Sequence, residues 1–452
     1  MSVTAASLRK SGRYRLRPTD GPAVLYPQKL KGLQRILNPD SPHLPPFRPM
    51  GADTAATECN SSSVGTVIDM TAFNEIINID VAAGQVTVQA GVRLGQLSHA
   101  LAAQGMELDG SHDLVSRTVG GAVAGGCNGP AIGSNHGLFA AQVISMKLVT
   151  PTGNLLDVGS GQKSLLNVFR LSYGMLGVIY ELTLKARPIT GFSASHRRCS
   201  LAQFAKAIDS LVRTNAGMRF LFLPFSDAVY LDLRRFDVNA RATANIPWKI
   251  KDWGESTVLP RVFKSLHRII PAAGVRYRLI DKLSQLTQGL VSSRLVSSGS
   301  MATAQSCGRG SSSSLQYSTW FFPAADFSII IQAYKDFCVR IRDESGFRCD
   351  MPTVGYRLSR DRSAVLSPSF DEPMIALRAM STQKTGWDNF AIDFGDFAKH
   401  WGASPVFNQT REVDLAYTKS IFSTRLEYFR KVRRQIDPDR RMMNPFLSQY
   451  FL

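Results

Sequence analysis

Acidic residues are scarce in this chain. Its 452 residues hold 35 Asp and Glu against 53 Lys and Arg, a net charge of +18. Such an excess usually signals an anionic partner: nucleic acid, an acidic membrane surface or a phosphorylated substrate. No run of 18 or more apolar residues occurs, so no transmembrane helix is expected. The basic start, Met1 to Thr19, is not followed by an apolar segment, so no secretory signal is expected. The six cysteines (Cys59, Cys127, Cys199, Cys307, Cys338 and Cys349) form no CxxC pair, and the seven histidines are scattered. Neither a metal site nor a disulfide framework is expected, and the usage suits reduced thiols in a cytoplasmic protein. No RNP, helix-turn-helix or zinc signature accompanies the charge, so nucleic acid is not the expected partner.

What is present is a chain long enough for two or three domains and large buried cores. Hydrophobic residues make up 44% and charged residues 19%, which excludes a disordered chain. The first 190 residues read as α+β. Thr66–Met70 is a short apolar strand, and residues 85–90 alternate with the period of a half-buried strand. Leu94, Leu97 and Leu101 follow at helical spacing, with Gly105 as a C-cap. Val143–Thr150 is a strand closed by a Pro-Thr-Gly turn, residues 164–172 are helical, and residues 177–186 form a strand that Pro188 ends.

Further on, residues 220–224 and 315–323 read as strands and residues 327–341 as a helix. A Gly/Ser-rich stretch, residues 297–314, reads as a loop. Between residues 234 and 294 lie twelve Lys/Arg against four acids, a local excess of +8. Apolar residues such as Trp248, Trp253, Phe263 and Ile269 interleave those charges. This suits a face for an anionic membrane, and equally a solvated basic surface. Near the end, Phe422, Leu426, Phe429, Val432 and Ile436 form a helical stripe stopped at Asp437-Pro438.

Two glycine-bearing loops stand out. One is Arg48-Pro-Met-Gly-Ala-Asp-Thr-Ala55; the other is Arg117-Thr-Val-Gly-Gly-Ala-Val-Ala-Gly-Gly-Cys-Asn-Gly129. Small residues let backbone amides approach an anion without Cβ interference, which suits a pyrophosphate. Neither loop is a Walker A motif, and neither is GxGxxG in a βαβ unit.

In order, the chain runs through the RPxG loop, the VIDM strand, VTVQAGVRLGQL, RTVGGAVAGG, LVTPTGNLLDV, FRLSYGMLGVIYELTLKARP and IDPDRRMMNP. This series resembles the flavoproteins of the vanillyl-alcohol oxidase and p-cresol methylhydroxylase superfamily (VAO, PCMH) over residues 45–190 and the last fifty. The resemblance implies a two-part FAD-binding domain of the p-cresol methylhydroxylase type plus an α+β substrate-binding cap. The corresponding divisions are residues 1–190, a cap at 191–400 holding the basic window, and a segment at 401–452 returning to the FAD domain. It implies FAD contacts at Gly51, Ala52, Asp53, Thr54 and Ala55, at Thr118, Val119, Gly120 and Gly121, and at Gly177, Val178 and Ile179. Where many members carry a flavin-linking histidine, this chain has Thr54, and residues 111–117 hold no second cysteine anchor. Noncovalent FAD is therefore expected. His112 and His136 flank the flavin loops, and Cys127 is placed at the flavin edge or in the core.

Two branches share the closer likeness. Arg357 followed by Leu366-Ser-Pro, and His400-Trp-Gly, resemble the aldonolactone and alditol oxidases, although Gly355 and Ala403 replace an acid and a lysine. Residues 386–394 and Leu315-Gln-Tyr resemble the decaprenylphosphoryl-ribose oxidases, although Ala391 replaces a cysteine. The implied activity is FAD-dependent oxidation of a CH–OH group, by hydride transfer to flavin N5, on a sugar-like, polyol, lactone or lipid-linked substrate. Arg357 is placed at the flavin N1/C2 locus and His400 as the base, with Asn389, Tyr356 and Gln316 orienting. Tyr317, Gln316 and Trp401 line the substrate pocket in this reading. The electron acceptor is oxygen, a quinone or another protein. The competing expectation, prompted by the missing acid and lysine, is a degenerate flavin-binding subunit without alcohol oxidase activity.

Overall fold

The computed structural model of the chain describes residues 22–109, 115–127, 137–214, 216–237, 239, 246–291, 293–297, 315–411 and 413–452. The stretch 298–314, His112, His136 and Cys307 lie outside them. Two sheets build the N-terminal part. Ala23–Leu25, Thr66–Asp69 and Phe47–Met50 form a parallel three-stranded sheet with Thr66–Asp69 in the centre. Ile76–Asp80, Gln85–Gln89, Val178–Lys185, Val143–Val149 and Leu155–Val158 form an antiparallel five-stranded sheet in that order.

The period-two pattern has its expected effect here. Val86 and Val88 are buried, while Thr87 between them meets the Thr183 hydroxyl across the strand pair at 3.0 Å. Helix Leu94–Ala102 packs Leu94, Leu97 and Leu101 into the same core. Residues 164–172 form a shorter helix than the sequence suggested, Lys163–Phe169. Pro188 does more than end a strand, because Arg187–Pro188 pairs with Met106–Glu107.

An eight-stranded sheet follows. It runs Ser293–Ser297, Phe192–Cys199, Ala228–Phe236, Gly217–Leu223, Thr353–Leu358, Met374–Ser381, Gln316–Pro323 and Ser404–Pro405. Its two faces have different neighbours. Phe220, Phe222, Trp320, Phe322, Ile375 and Leu377 point into a layer of helices, Leu201–Val212, Phe327–Ser345 and Trp387–His400. Leu221, Phe321, Val354, Tyr356, Leu358 and Ala376 point the other way and merge with the N-terminal core. Helices Leu415–Ile436 and Pro445–Phe451 close that same core with Phe422, Leu426, Phe429 and Phe451. The cofactor-side face of the sheet is thus the one bearing Tyr356 and Phe321.

The basic window is largely helical, with Ile246–Trp253, Leu259–Ile269 and Ala273–Gly289. Not all its cations face water. Lys251 is fully buried, 3.7 Å from Asp232 and 3.6 Å from Glu255, and Arg234 is buried as well.

Candidate active site

The two glycine loops meet. A Cβ on Gly51 would fall 2.1 Å from Thr118 Oγ1, and one on Gly120 would fall 2.8 Å from Ala90 Cβ, so only glycine permits this approach. The loops bound a cavity of about 790 Å³, mouth included. Gly51, Ala52, Asp53, Thr54, Ala55, Thr118, Gly120, Gly121, Gly177 and Ile179 line it. Val119 and Val178 do not, because both side chains are buried in apolar cores.

The loops divide the work differently from the sequence reading. The amides of Val119 and Gly120 donate to the carbonyls of Val92 and Ala90, and the Gly121 amide donates to Thr118 Oγ1 at 3.3 Å. The second loop is therefore pinned and brings bulk close. Among the described residues, the amides of residues 51–55 find no protein acceptor. Unpaired amides beside a glycine-walled cavity are what a pyrophosphate requires. The residues present thus fit the cofactor.

Arg48 fixes the wall behind the first loop. Its buried guanidinium donates to the carbonyls of Cys59, Gly174, Tyr173 and Met442, joining four segments. Burial pushes its pKa down to about 10. The loop is also clamped by later segments of the chain. Tyr317 donates its hydroxyl to the Thr54 carbonyl at 2.7 Å, the Ala56 amide donates to the Asn408 carbonyl at 2.9 Å, and Thr57 Oγ1 donates to the Phe407 carbonyl at 2.6 Å. Burial raises the Tyr317 pKa against the pull of Arg117 and Arg378, so the phenol stays a donor.

A polar cluster lies behind the lining residue Thr54, reached through Tyr317. Arg378 stands 5.5 Å over the Tyr317 ring and donates to Thr319 Oγ1 at 3.1 Å and Gln409 Oε1 at 2.9 Å. Arg117 donates to Cys127 Sγ at 2.8 Å. Burial opposes the Arg117 cation, but Cys127, Tyr317 and Tyr356 together raise its pKa. Cys127 itself is buried in the core.

Five expected site residues are placed elsewhere. Arg357 occupies the helix-covered face of the sheet, where its guanidinium donates to the Thr214 and Ala216 carbonyls and to Ser359 Oγ. The cause is strand alternation: Tyr356 points to the cofactor side, so its neighbour cannot. Gly355 shares the Arg357 face, and a Cβ there would strike Phe220 Cζ at 2.0 Å. His400 and Asn389 lie exposed on the outer helix Trp387–His400. Trp401 caps that helix and packs on Phe397, and Gln316 lies one residue out of phase with Tyr317. Ala391 and Ala403 are buried in the helix layer, away from the cavity. Sequence reasoning missed Arg378, Asn408 and Gln409; the only signal was an Asn-Gln-Thr run set between Phe407 and Arg411.

The backbone resembles solved flavoenzymes along nearly its whole length. Cholesterol oxidase from Brevibacterium sterolicum superposes with a TM-score of 0.74, at 14% identity, covering 95% of this chain and 94% of that one. Xylooligosaccharide oxidase from Myceliophthora thermophila C1 gives 0.65 at 13% identity, covering 95% and 92%. The fold is that of the PCMH-type FAD-binding flavoproteins. Residues 22–159 match a family described as FAD binding domain, and FAD is the cofactor. Residues 182–450 match the family described as D-arabinono-1,4-lactone oxidase, and the chain belongs to that family. L-gulono-1,4-lactone dehydrogenase of Mycobacterium tuberculosis is 31% identical over 180 residues, 40% of this chain and 41% of that protein. L-gulonolactone oxidase of Bos taurus is 30% identical over 166 residues, covering 36% and 37%. The matched stretch spans about two fifths of these relatives.

Proposed function

We propose that this chain is an FAD-dependent oxidoreductase that oxidises a CH–OH group of a sugar lactone. The observation that carries this reading is the Tyr317–Arg378–Thr319–Gln409 cluster, clamped onto the cofactor loop at Thr54. Bound FAD supplies the two-electron acceptor. Residues 51–55 hold the pyrophosphate with their amides. Arg378 is immobilised by two side-chain acceptors, so its charge meets a substrate oxygen with little reorganisation. Tyr317 fixes the cap against Thr54 and walls off water. The lactone class is that of the L-gulono-1,4-lactone dehydrogenase and L-gulonolactone oxidase to which the chain is similar, and the flavin is held without a covalent bond because threonine at position 54 offers no imidazole.

Anaerobic mixing with a panel of aldonolactones tests this. One or more should bleach the flavin, and Arg378→Met should slow bleaching at least a hundredfold while retaining FAD. A flavin that no lactone reduces would favour the degenerate-subunit alternative, and bleaching at the wild-type rate in Arg378→Met would remove Arg378 from the reaction. Acid precipitation should release the flavin into the supernatant.

A second reading concerns the helices of the basic window. Seven large apolar side chains there are exposed, from Ile246, Ile250 and Trp253 through Ile269 and Val275 to Leu286 and Leu290. Exposed Lys249, Arg261, Lys264, Arg268, Arg278 and Lys282 interleave them. Apolar side chains that stand in water beside cations suit the interface of an anionic membrane. Vesicles with anionic lipid should float the protein and shift Trp253 emission to the blue, and Ile269→Glu with Leu286→Glu should abolish both. Equal flotation with neutral vesicles would exclude the reading.

A further inference from the structure

Away from the cofactor cavity, the sheet and helix Ala273–Gly289 enclose a second concavity of about 1270 Å³, mouth included. It lies on the cofactor-side face of the same sheet but is a separate site. Arg198 pairs across the strands with Tyr230, Tyr230 with Leu221, Leu221 with Val354, and Val354 with Arg378. Four inter-strand steps put Arg198 about 19 Å from Arg378. Buried Leu221 and Val354 fill the space between.

Among the described residues, two polar atoms at this concavity have no partner. His196 is 5% exposed, and its Nδ1 bonds to Asp232 Oδ1. Lys251, His196 and Arg219 outweigh burial and keep Asp232 ionised. An ionised carboxylate only accepts, so Nδ1 carries a hydrogen and Nε2 is the ring's remaining polar atom. Nε2 has no partner. Gln288 is 1% exposed and donates its amide nitrogen to Glu255 Oε2 at 3.4 Å. That contact fixes the amide orientation, because the carboxylate again only accepts. Gln288 Oε1 is left as a buried acceptor without a partner. Both residues line the concavity, with Arg198 and Lys282 exposed beside them and no acidic side chain among the described lining residues.

Buried polar atoms call for hydrogen-bond partners, and the two cations call for an anion. We propose that this concavity is a binding site for a small polyhydroxylated anion, a sugar acid or sugar phosphate. Its hydroxyls hydrogen-bond to His196 Nε2 and donate to Gln288 Oε1, and its anionic group meets Arg198 and Lys282. Exposed Leu286 and Leu290 also line the site. The same chemistry is offered free in solution or on an inositol lipid headgroup.

Calorimetry on the FAD-loaded protein tests this with D-gluconate and D-glucose 6-phosphate, using D-glucose as the uncharged control. In parallel, phosphatidylcholine vesicles are compared with and without phosphatidylinositol. A soluble probe should bind one to one, and Gln288→Leu and the Arg198→Ala/Lys282→Ala pair should each weaken it at least tenfold. The flavin spectrum should not change, and the lactone that reduces the flavin should not displace the probe. Binding confined to phosphatidylinositol vesicles, with the same dependence on both variants, assigns the site to the lipid-borne form. No binding in either arm, binding unchanged in both variants, or displacement by the lactone would overturn the proposal. The surface pair stands as the test if Gln288→Leu does not fold. Flavin bleaching by lactone is read separately, so failure of this site leaves the oxidoreductase reading intact.

Discussion

The contact between the two glycine loops sets the affinity for FAD. In Gly51→Ala the new Cβ would sit 2.1 Å from Thr118 Oγ1. Ordinary contact begins near 3.5 Å, so the atoms must separate by about 1.4 Å. Rotating Thr118 moves the hydroxyl but breaks the cap it gives to the Gly121 amide, which costs about 1 kcal/mol. Thr118 Cβ and Cγ2, each 3.2 Å from the same point, limit that escape. The loops must therefore part, and the cavity they form loosens. We expect the FAD dissociation constant to rise at least tenfold, about 1.4 kcal/mol.

The double variant separates this cause from general damage. Thr118→Ala removes the clashing oxygen and leaves Cβ at 3.2 Å, which a few tenths of an ångström relieves. Gly51→Ala/Thr118→Ala should recover affinity to within about threefold of Thr118→Ala alone, the signature of direct coupling. Gly51→Ala/Thr118→Ser keeps the oxygen and should not recover. Flavin fluorescence quenching on titrating apoprotein gives the constants, and apoprotein melting reports the cap. Wild-type affinity in Gly51→Ala, or a double variant as weak as Gly51→Ala, would refute the reasoning.

Gly355→Glu restores the acid that the alditol oxidase resemblance lacks, yet it should gain no activity. The Phe220 ring occupies that position, so overpacking alone should cost about 3 kcal/mol, read as a lower urea midpoint. A soluble variant with the wild-type midpoint would contradict the assigned face. Asp232→Asn removes one of the two carboxylates that face Lys251 and Arg219, Glu255 remaining, and should cost about 3 kcal/mol near neutral pH. Burial pushes the Asp232 carboxyl up, but Lys251, His196 and Arg219 hold it below its ordinary value. A depressed acid contributes above its unfolded value, about 4, and loses the contribution as pH falls through the folded one. The stability gap between wild type and Asp232→Asn should be level from pH 5 to 8 and narrow below pH 4, and a gap independent of pH would remove the ion pair as its cause.

What could be read in advance was local. The strand at residues 85–89 and the glycine loops announce themselves because alternation and small residues act within a few positions. Which face a strand turns to the cofactor is not local. Arg357 and Arg378 are both strand arginines flanked by apolar residues, and a one-residue phase difference sends one to the helices and the other to Tyr317. Gln316 and Tyr317 repeat the lesson within a single dipeptide. Asn408 and Gln409 gain their roles only through pairing with residues some 350 and 90 positions away, which no spacing along the chain encodes.

The surplus of positive charge also takes a different meaning from the structure. Many arginines answer to carbonyls rather than to acids or anions. Arg48 gathers four carbonyls, Arg441 those of Leu37, Asn38 and Pro151, Arg425 those of Val365 and Ser367, and Arg170 those of Val143 and Ser363. A guanidinium offers five donors in a rigid fork, and loop carbonyls that miss a strand or helix partner need donors. Each such clamp adds a positive charge to the chain without requiring an acid beside it. Part of the +18 is thus a by-product of tying long loops around a cofactor cavity. Exposed cations on the helices of the basic window remain free to attract a partner. There they stand beside exposed isoleucine, leucine and tryptophan, the mixture on which the proposed lipid contact rests.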